Sequence, residues 1–391
     1  MKKLIAIFAV LLFVAPAFAA DWAFYGSERV ATWYVNKDNG ADKYSVNGDD
    51  NDSGTQWYLQ GNSRLGAKVK ADKVTGQIEL ATTASSTDAA GDGAVNTRRA
   101  YGVWKFSDNA WLKVGKDYSP TTDFISSQWF DGDNDMLGTG NFYGRRPQGL
   151  TLGFGNFEIA FLTPQQGNTG GINSSTTGIL TPATNVNTLA QANATGDPDV
   201  YLPKFEASYM LKLGAGYIKP FGGFQYYQVK EFSGSAVQDD IDIYSWVLGV
   251  SSSWNIGAFS IGGQVSYGMN EAISAWASGY NSNNTNLPVL KLDGDDVADI
   301  YTLQAMIVPA LKFTDTLRFE AGFGYRQDNA DGAPGYSLKD EAWVGYVQAM
   351  VTLAPGVFLC PEVGYIDFMD DRAGDNQGYQ WYAGAKWQID F

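Results

Sequence analysis

The chain is written in a two-residue rhythm. Near its end Tyr379, Trp381, Ala383, Ala385, Trp387, Ile389 and Phe391 share one face of an extended backbone, and Gln380, Tyr382, Gly384, Lys386, Gln388 and Asp390 share the other. Successive side chains of a strand point to opposite faces, so this alternation predicts a strand with one apolar and one wet side. Thirteen residues is long for a strand of a soluble sandwich. It suits a strand tilted across a bilayer, where about 9–11 residues lie in the apolar layer.

The rhythm recurs upstream. Leu317, Phe319, Ala321, Phe323 and Tyr325 oppose Arg318, Glu320, Gly322, Gly324 and Arg326, and Phe205, Ala207, Tyr209, Leu211 and Leu213 oppose Lys204, Glu206, Ser208, Met210 and Lys212. Strands are predicted at 22–36, 55–71, 75–86, 95–107, 110–117, 147–154, 156–163, 201–213, 216–231, 240–254, 257–269, 297–312, 316–328, 340–353, 356–368 and 378–391. Connections alternate in length. Ser107-Asp108-Asn109, Gly155-Asn156, Asn255-Ile256-Gly257, Thr314-Asp315-Thr316 and Ala354-Pro355-Gly356 are short and carry turn residues. Between them lie long connections at Asn36 to Gly54, Asp117 to Arg146, Thr163 to Val200, Glu271 to Asp296 and Asp328 to Lys339. Short turns at one end and long loops at the other define the expected class: all-β, a 16-stranded antiparallel transmembrane β-barrel. A soluble sandwich or propeller would not keep an apolar face outward on nearly every strand.

The stretch from Asp117 to Arg146 fits neither helix nor strand. It is polar and aromatic, with Asp131, Asp133 and Asp135 at its middle and Arg145 and Arg146 at its close. A structureless loop of that length inside a compact domain calls for a function. The expectation is an inward-folded third loop, 117–146, that sets the bore.

Composition agrees and removes alternatives. The chain has 45 Gly, 12 Trp, 22 Tyr and 22 Phe, as a barrel with lipid on one side and water on the other requires. It has no histidine and one cysteine, Cys360. Ser-His and Cys-His nucleophile pairs, histidine zinc sites and internal disulfides are therefore excluded, so no enzyme is expected, although a carboxylate-only site stays open. Cys360 reads as an inert strand residue. Residues 1–19 read as a signal peptide: Lys2 and Lys3, an apolar run Leu4 to Val14, then Ala17-Phe18-Ala19, leaving 20–391 as the barrel. Cleavage takes the formal charge from −15 to −17, which argues against nucleic acid as a partner.

Several segments resemble a known family. Phe24-Tyr25-Gly26, Ser63-Arg64-Leu65-Gly66-Ala67-Lys68, Thr97-Arg98-Arg99-Ala100-Tyr101-Gly102-Val103-Trp104-Lys105-Phe106, Val114-Gly115-Lys116-Asp117-Tyr118-Ser119-Pro120 and Gly144-Arg145 occur in the order of the matching segments of trimeric general-diffusion porins of Gram-negative outer membranes. The resemblance rests on residues 22 to 160 and the C-terminus. It implies a homotrimer in outer-membrane lipid that passes small hydrophilic solutes and ions. It also implies a wall ladder of Arg64, Arg98 and Arg145 facing loop carboxylates, for which Asp131, Asp133 and Asp135 are candidates. The family's acidic loop motif is absent; Asp135-Met136-Leu137-Gly138-Thr139-Gly140 stands in its place.

Parity supports a lumen-facing Arg64, because Leu65, Ala67, Val69 and Ala71 form the opposite, lipid-suited face. Lys68, Lys70, Arg318 and Glu320 fall on wet faces too, since an Arg or Lys against lipid at the midplane costs about 2–4 kcal/mol. No cofactor is expected. Calcium is an option at Asp131, Asp133 and Asp135, but not as an EF-hand: Met136 stands where Gly is needed and Phe142 where Glu is needed. Glu28 and Arg29 alternate, so one of them points out of the barrel, a mark of a subunit interface or of the water boundary. The closing Phe391 resembles an assembly signal. A substrate-selective channel for sugars or ions is the second functional expectation, with Trp129, Phe130, Phe142 and Tyr143 available to stack on sugars. A structural or surface-interaction barrel using its long loops is the third.

Overall fold

The computed structural model describes residues 20–38, 40, 51–82, 95–164, 195–233, 240–271, 274, 276, 291–293, 296–330, 339–370 and 374–391. The expected signal segment 1–19, the expected strand residues 83–86 and most of the connection from Thr163 to Val200 lie outside the described residues.

One antiparallel sheet of nineteen hydrogen-bonded segments runs round the molecule. Two strands are broken, so the segments make sixteen strands. In chain order these are β1 Asp21–Asp38; β2 in two pieces, Asn51–Leu59 and Arg64–Ala71; β3 Val74–Thr82; β4 Val95–Lys105; β5 Ala110–Lys116; β6 Gln148–Phe154; and β7 Phe157–Leu162. Then come β8 in three pieces, Thr195–Asp199, Lys204–Tyr209 and Leu211–Leu213; β9 Gly216–Ser233; β10 Ile241–Ile256; and β11 Phe259–Met269. The last are β12 Ile300–Lys312; β13 Leu317–Ala330; β14 Lys339–Ala354; β15 Val357–Asp367; and β16 Tyr379–Asp390. Each strand pairs with the next, and β16 pairs back onto β1 from Ser27↔Asp390 to Asp38↔Tyr379, which closes the barrel and leaves no edge. A short hairpin, Lys291–Asp293 with Asp296–Ala298, lies in the β11–β12 connection.

The sequence rhythm becomes the two faces of this wall. Outward positions stay exposed: Phe24 at 63%, Leu248 at 65% and Val363 at 52%. Inward neighbours on the same strands are closed off, as with Ser251 at 0% and Glu362 at 4%. A soluble protein rarely presents a continuous apolar belt, whereas hydrocarbon solvates it. Near the long-loop end, rings stack from strand to strand through Phe323, Trp343, Tyr365 and Tyr379 at centroid distances of 5.8, 5.3 and 5.4 Å. Such a ladder belongs at a membrane–water boundary.

Two irregularities depart from the expected strands. The expected strand 55–71 is interrupted, because the register to β1 shifts between Val30↔Leu59 and Ser27↔Arg64. Gln60 to Ser63 stand opposite only Glu28 and Arg29, so the strand carries two extra residues in a bulge, and Gln-Gly-Asn-Ser is a turn-type run inside an otherwise alternating stretch. On β4 the register slips between Glu79↔Arg99 and Leu80↔Thr97. Arg98 is the unpaired residue, so it and Arg99 both turn inward, where simple alternation would have split them.

Candidate pore constriction

The third long connection, Asp117 to Pro147, runs along the inner wall, and its contacts trace its path. Asp123 accepts from Tyr217 at 2.8 Å and from Ser251 at 2.5 Å, and Lys219 donates to the carbonyl of Thr122 at 2.9 Å. Ser127 N–H donates to Glu320 at 2.8 Å, and Gln348 donates to the carbonyl of Ser127 at 2.9 Å. Trp129 N–H and Phe130 N–H both donate to Glu362, at 2.6 and 3.3 Å. Gln128 donates to Tyr382 at 2.9 Å, and Gln60 of the β2 bulge donates to the carbonyl of Trp129 at 3.0 Å. The loop thus sweeps past β9, β10, β13, β14, β15 and β16 to β1.

It turns at one short helix, α1 Phe130–Asp133, and a run of left-handed residues: Gly132, Asp133, Asp135 and Met136 at φ 82, 62, 55 and 55°. Left-handed backbone costs a residue with a Cβ about 1–2 kcal/mol. That cost is offset by contacts at the tip. Phe130 stacks on Tyr382 at 3.7 Å and meets Trp33 edge-on at 5.4 Å. Phe130 and Met136 join an apolar cluster with Ala31, Trp33, Val35, Met306, Val344 and Ile366.

The return limb then follows the wall backwards. Arg326 donates to the carbonyl of Gly138 at 3.1 Å, and Phe142 N–H donates to Gln264 at 2.5 Å. At Gly324 a Cβ would collide with the Thr139 carbonyl, so only glycine lets the limb lie flush there.

The arc from β2 to β6 is the side this loop leaves open, and it is lined with cations. Arg98 pairs with Glu79 at 2.9 Å, and Arg64 lies 3.8 Å from the same carboxylate. Arg99 and Lys113 share Asp117, at 2.7 and 2.8 Å. Tyr118 lies under both Arg99 and Arg146, at 5.2 and 5.3 Å from ring centre to guanidinium carbon. Arg145 is exposed at φ 65°, and among the described residues its guanidinium makes no ion pair. Lower on the wall Lys68 stands over the Tyr25 ring at 5.2 Å, and Lys70 is exposed.

The expected acidic side is distributed differently. Asp133 forms an ion pair with Arg29, and its Oδ1 lies 3.4 Å from Lys386 Nζ. It reaches Arg98 only through Asn62, whose amide donates to Asp133 Oδ2 at 3.3 Å while its oxygen accepts from Arg98. Asp135 is half-buried in the loop tip, where loss of water holds its carboxyl well above the usual range. The side chain of Asp131 lies outside the described residues. Among the described residues, no group of three or more acidic, histidine or cysteine side chains converges as a metal cage would. Glu320 is buried; it pairs with Arg318 at 2.7 Å and spends its other oxygen on the loop backbone.

Rings expected to stack on a passing solute are partly withdrawn. Phe130 and Phe142 are buried at 4% and 0%, whereas Phe124 is exposed at 44% and faces Tyr118 at 4.9 Å. Phe124 escaped the sequence reading because nothing in Thr-Asp-Phe-Ile distinguishes a bore-facing ring from a wall-facing one.

A closed sixteen-stranded barrel with an apolar belt, a lumenal third loop and an arginine-rich inner arc has the fold of the Gram-negative outer-membrane porins. The outer membrane channel DcaP of Acinetobacter baumannii superposes with a TM-score of 0.65 at 17% identity, covering 95% of this chain and 97% of that one. The anion-selective porin from Comamonas acidovorans gives 0.56 at 13%, over 95% and 100% of the two chains. Salmonella typhi OmpF, solved in complex with daunomycin, gives 0.56 at 12%, over 94% and 97%. These are described as channels and porins, not enzymes. No protein-family model and no curated protein matches the chain.

Proposed function

We propose that the chain is an outer-membrane porin, a passive water-filled channel for small hydrophilic solutes and ions, whose passage runs between the third loop and the β2–β6 wall and favours anions there. One observation carries the ion preference. Arg64, Arg98, Arg99, Lys113 and Arg146 crowd one arc with Arg145, and among the described residues the carboxylates that contact them are Glu79 and Asp117. A cationic surface in a narrow, low-dielectric bore raises the local concentration of anions whatever the net charge of the whole molecule. The excess arginines therefore outweigh, locally, a chain whose formal charge is −15.

Planar-bilayer recording tests both halves. Stable ion-conducting steps are expected, with a reversal potential in a salt gradient that reports anions as the faster species. Arg145→Glu combined with Arg64→Gln moves that potential toward cations. Failure to conduct removes the channel reading, and a wild-type potential on the cation side removes the ion preference alone.

A homotrimer is part of the same reading. Glu28 pairs with Ile389 on the outward face, next to the outward apolar pair Val30 and Trp387. A carboxylate there is penalised by lipid and accommodated by a neighbouring subunit. The expected result is a trimer by intact-complex mass measurement in mild detergent; a monomer would refute it.

A further inference from the structure

The third loop is not alone inside the barrel. Beyond β11, Trp276 is fully buried in the lumen, in one cluster with Phe142 of the return limb, Phe221 of β9 and Val247 of β10. Its ring centre lies 6.4 Å from that of Phe142. Its Nε1 donates to Glu206 Oε1 at 2.8 Å, and the other oxygen of that carboxylate accepts from Thr121 of the loop at 2.6 Å. Lys204 Nζ lies 3.3 Å from Glu206, stands 5.1 Å over the Trp276 ring and donates to the carbonyl of Ser274 at 3.2 Å. A Cβ on Gly223 would come within 2.6 Å of the indole, so the ring rests on bare β9 backbone. Trp276 therefore bridges the whole gap from the β8–β9 wall to the loop.

Beyond the indole the inner wall is polar and shut. Ser266 and Gln304, register partners on β11 and β12, are exposed by 2% and 0%. Gln264 Nε2, Ser266 Oγ, Gln304 Oε1 and Glu271 Oε1 are all buried and have no hydrogen-bond partner among the described residues. Unsatisfied buried polar groups are uncommon in apolar cores, whereas a barrel wall built to face water supplies them as a matter of course. This sector has the chemistry of a channel lining and the exposure of a core.

We propose that Trp276 is a selectivity-determining residue: it plugs the sector in front of β8–β12, so that ions pass only along the cationic β2–β6 arc. The charge half of this inference rests on the channel reading above. The closed sector carries Glu206 and Asp123 against Lys204 and Lys219, with Gln264, Ser266 and Gln304 beside them, so a second path opened there lacks the cationic excess of the arc and dilutes its anion preference.

Trp276→Ala, in the full-length barrel in planar bilayers, is expected to raise single-channel conductance and shift the reversal potential toward cations. Trp276→Phe, which keeps an aromatic plug, returns most of both changes. A folded Trp276→Ala channel with wild-type conductance and potential overturns the proposal. A second measurement does not depend on that variant folding. In a Cys360→Ser background, Ser266→Cys in a barrel that retains Trp276 is expected to resist a small water-soluble methanethiosulfonate; rapid labelling would show the sector open and overturn the proposal. A wild-type channel without anion preference removes only the charge half, since conductance and thiol protection still decide whether Trp276 is a plug.

Discussion

Arg29 on β1 forms an ion pair with Asp133 at the tip of the third loop, and Lys386 on β16 approaches the other carboxylate oxygen of Asp133 to 3.4 Å. The barrel is closed by the pairing of those same two strands, so one loop carboxylate spans the seam from inside. Lys386 is further confined by the Trp129 ring, whose centre lies 3.1 Å from its Nζ.

Asp133→Asn would leave two buried cations facing an amide. Breaking a buried pair by removing one partner costs about 3–5 kcal/mol, because the remaining charge stays desolvated. The expected outcome is a lower temperature of loss of the compact, detergent-resistant barrel, and noisier open-channel current as the tip loosens. Arg29→Met and Lys386→Met added to Asp133→Asn remove the stranded cations and are expected to recover most of the stability; equal loss with and without them would show that the charge contacts of Asp133 are not what holds the tip.

The barrel was legible in the sequence because one physical rule, period-two alternation against lipid, acts on every strand; Tyr379 to Phe391 displays it without a break. What alternation misses are the places where the wall is irregular or covered. Arg98 turns inward beside Arg99 only because it is the extra residue of a bulge. Asn62, which links Arg98 to Asp133, sits in another bulge. The inner face of β1 reads Ala31, Trp33 and Val35, all buried. Apolar residues on both faces of a lipid-facing strand signal that something apolar covers the lumen side, here Phe130 and Met136. Trp276 gave no such local signal, since its partners Phe142, Phe221 and Glu206 are distant in sequence.

Glu79 holds Arg64 and Arg98 together and also accepts from Tyr25 at 2.9 Å. Glu79→Gln keeps an acceptor for these donors and removes the charge. The cationic excess of the arc then grows by one, and the reversal potential in a salt gradient is expected to move further toward anions. Movement toward cations, or none, would place the ion path away from this arc.

Glu271, just past the end of β11, accepts from Gln304 at 3.0 Å, and burial pushes its carboxyl up to about 8, with Arg326 opposing and Asp328 reinforcing that shift. A carboxyl whose value is raised on folding binds its proton more tightly in the fold than in the unfolded chain. Stability is therefore greatest below the ordinary value of 4.5, falls as pH rises through the interval up to about 8, and is flat above it. Glu271→Gln removes this slope. The expected difference is a melting temperature that declines less steeply for the variant than for the wild type across that interval; parallel curves would show that Glu271 is charged in the fold throughout.

Phe391 closes the barrel in two ways at once. Its backbone exchanges hydrogen bonds with Gly26, N–H to carbonyl at 3.0 Å and carbonyl to N–H at 2.7 Å, one step beyond the last register pair. Its ring also lies across Gly26, where a Cβ would come within 2.5 Å of the aromatic carbon Cε2. A glycine on a strand is weak because it packs nothing and is flexible in the unfolded chain, and an aromatic neighbour laid over it restores the lost contact. Removing Phe391 deletes both the bonds and the cover at the one junction where first and last strands must find each other. Lumen, loop and the arginine arc are untouched, because the ring points outward and is 68% exposed. The expected result is a reduced yield of folded, heat-modifiable barrel, with normal conductance in the channels that do assemble. Gly26→Ala should lower the yield in the same way, since its methyl displaces the ring. Wild-type yield from both changes would show that the seam closes without this contact, and that the registers between Ser27 and Asp38 suffice.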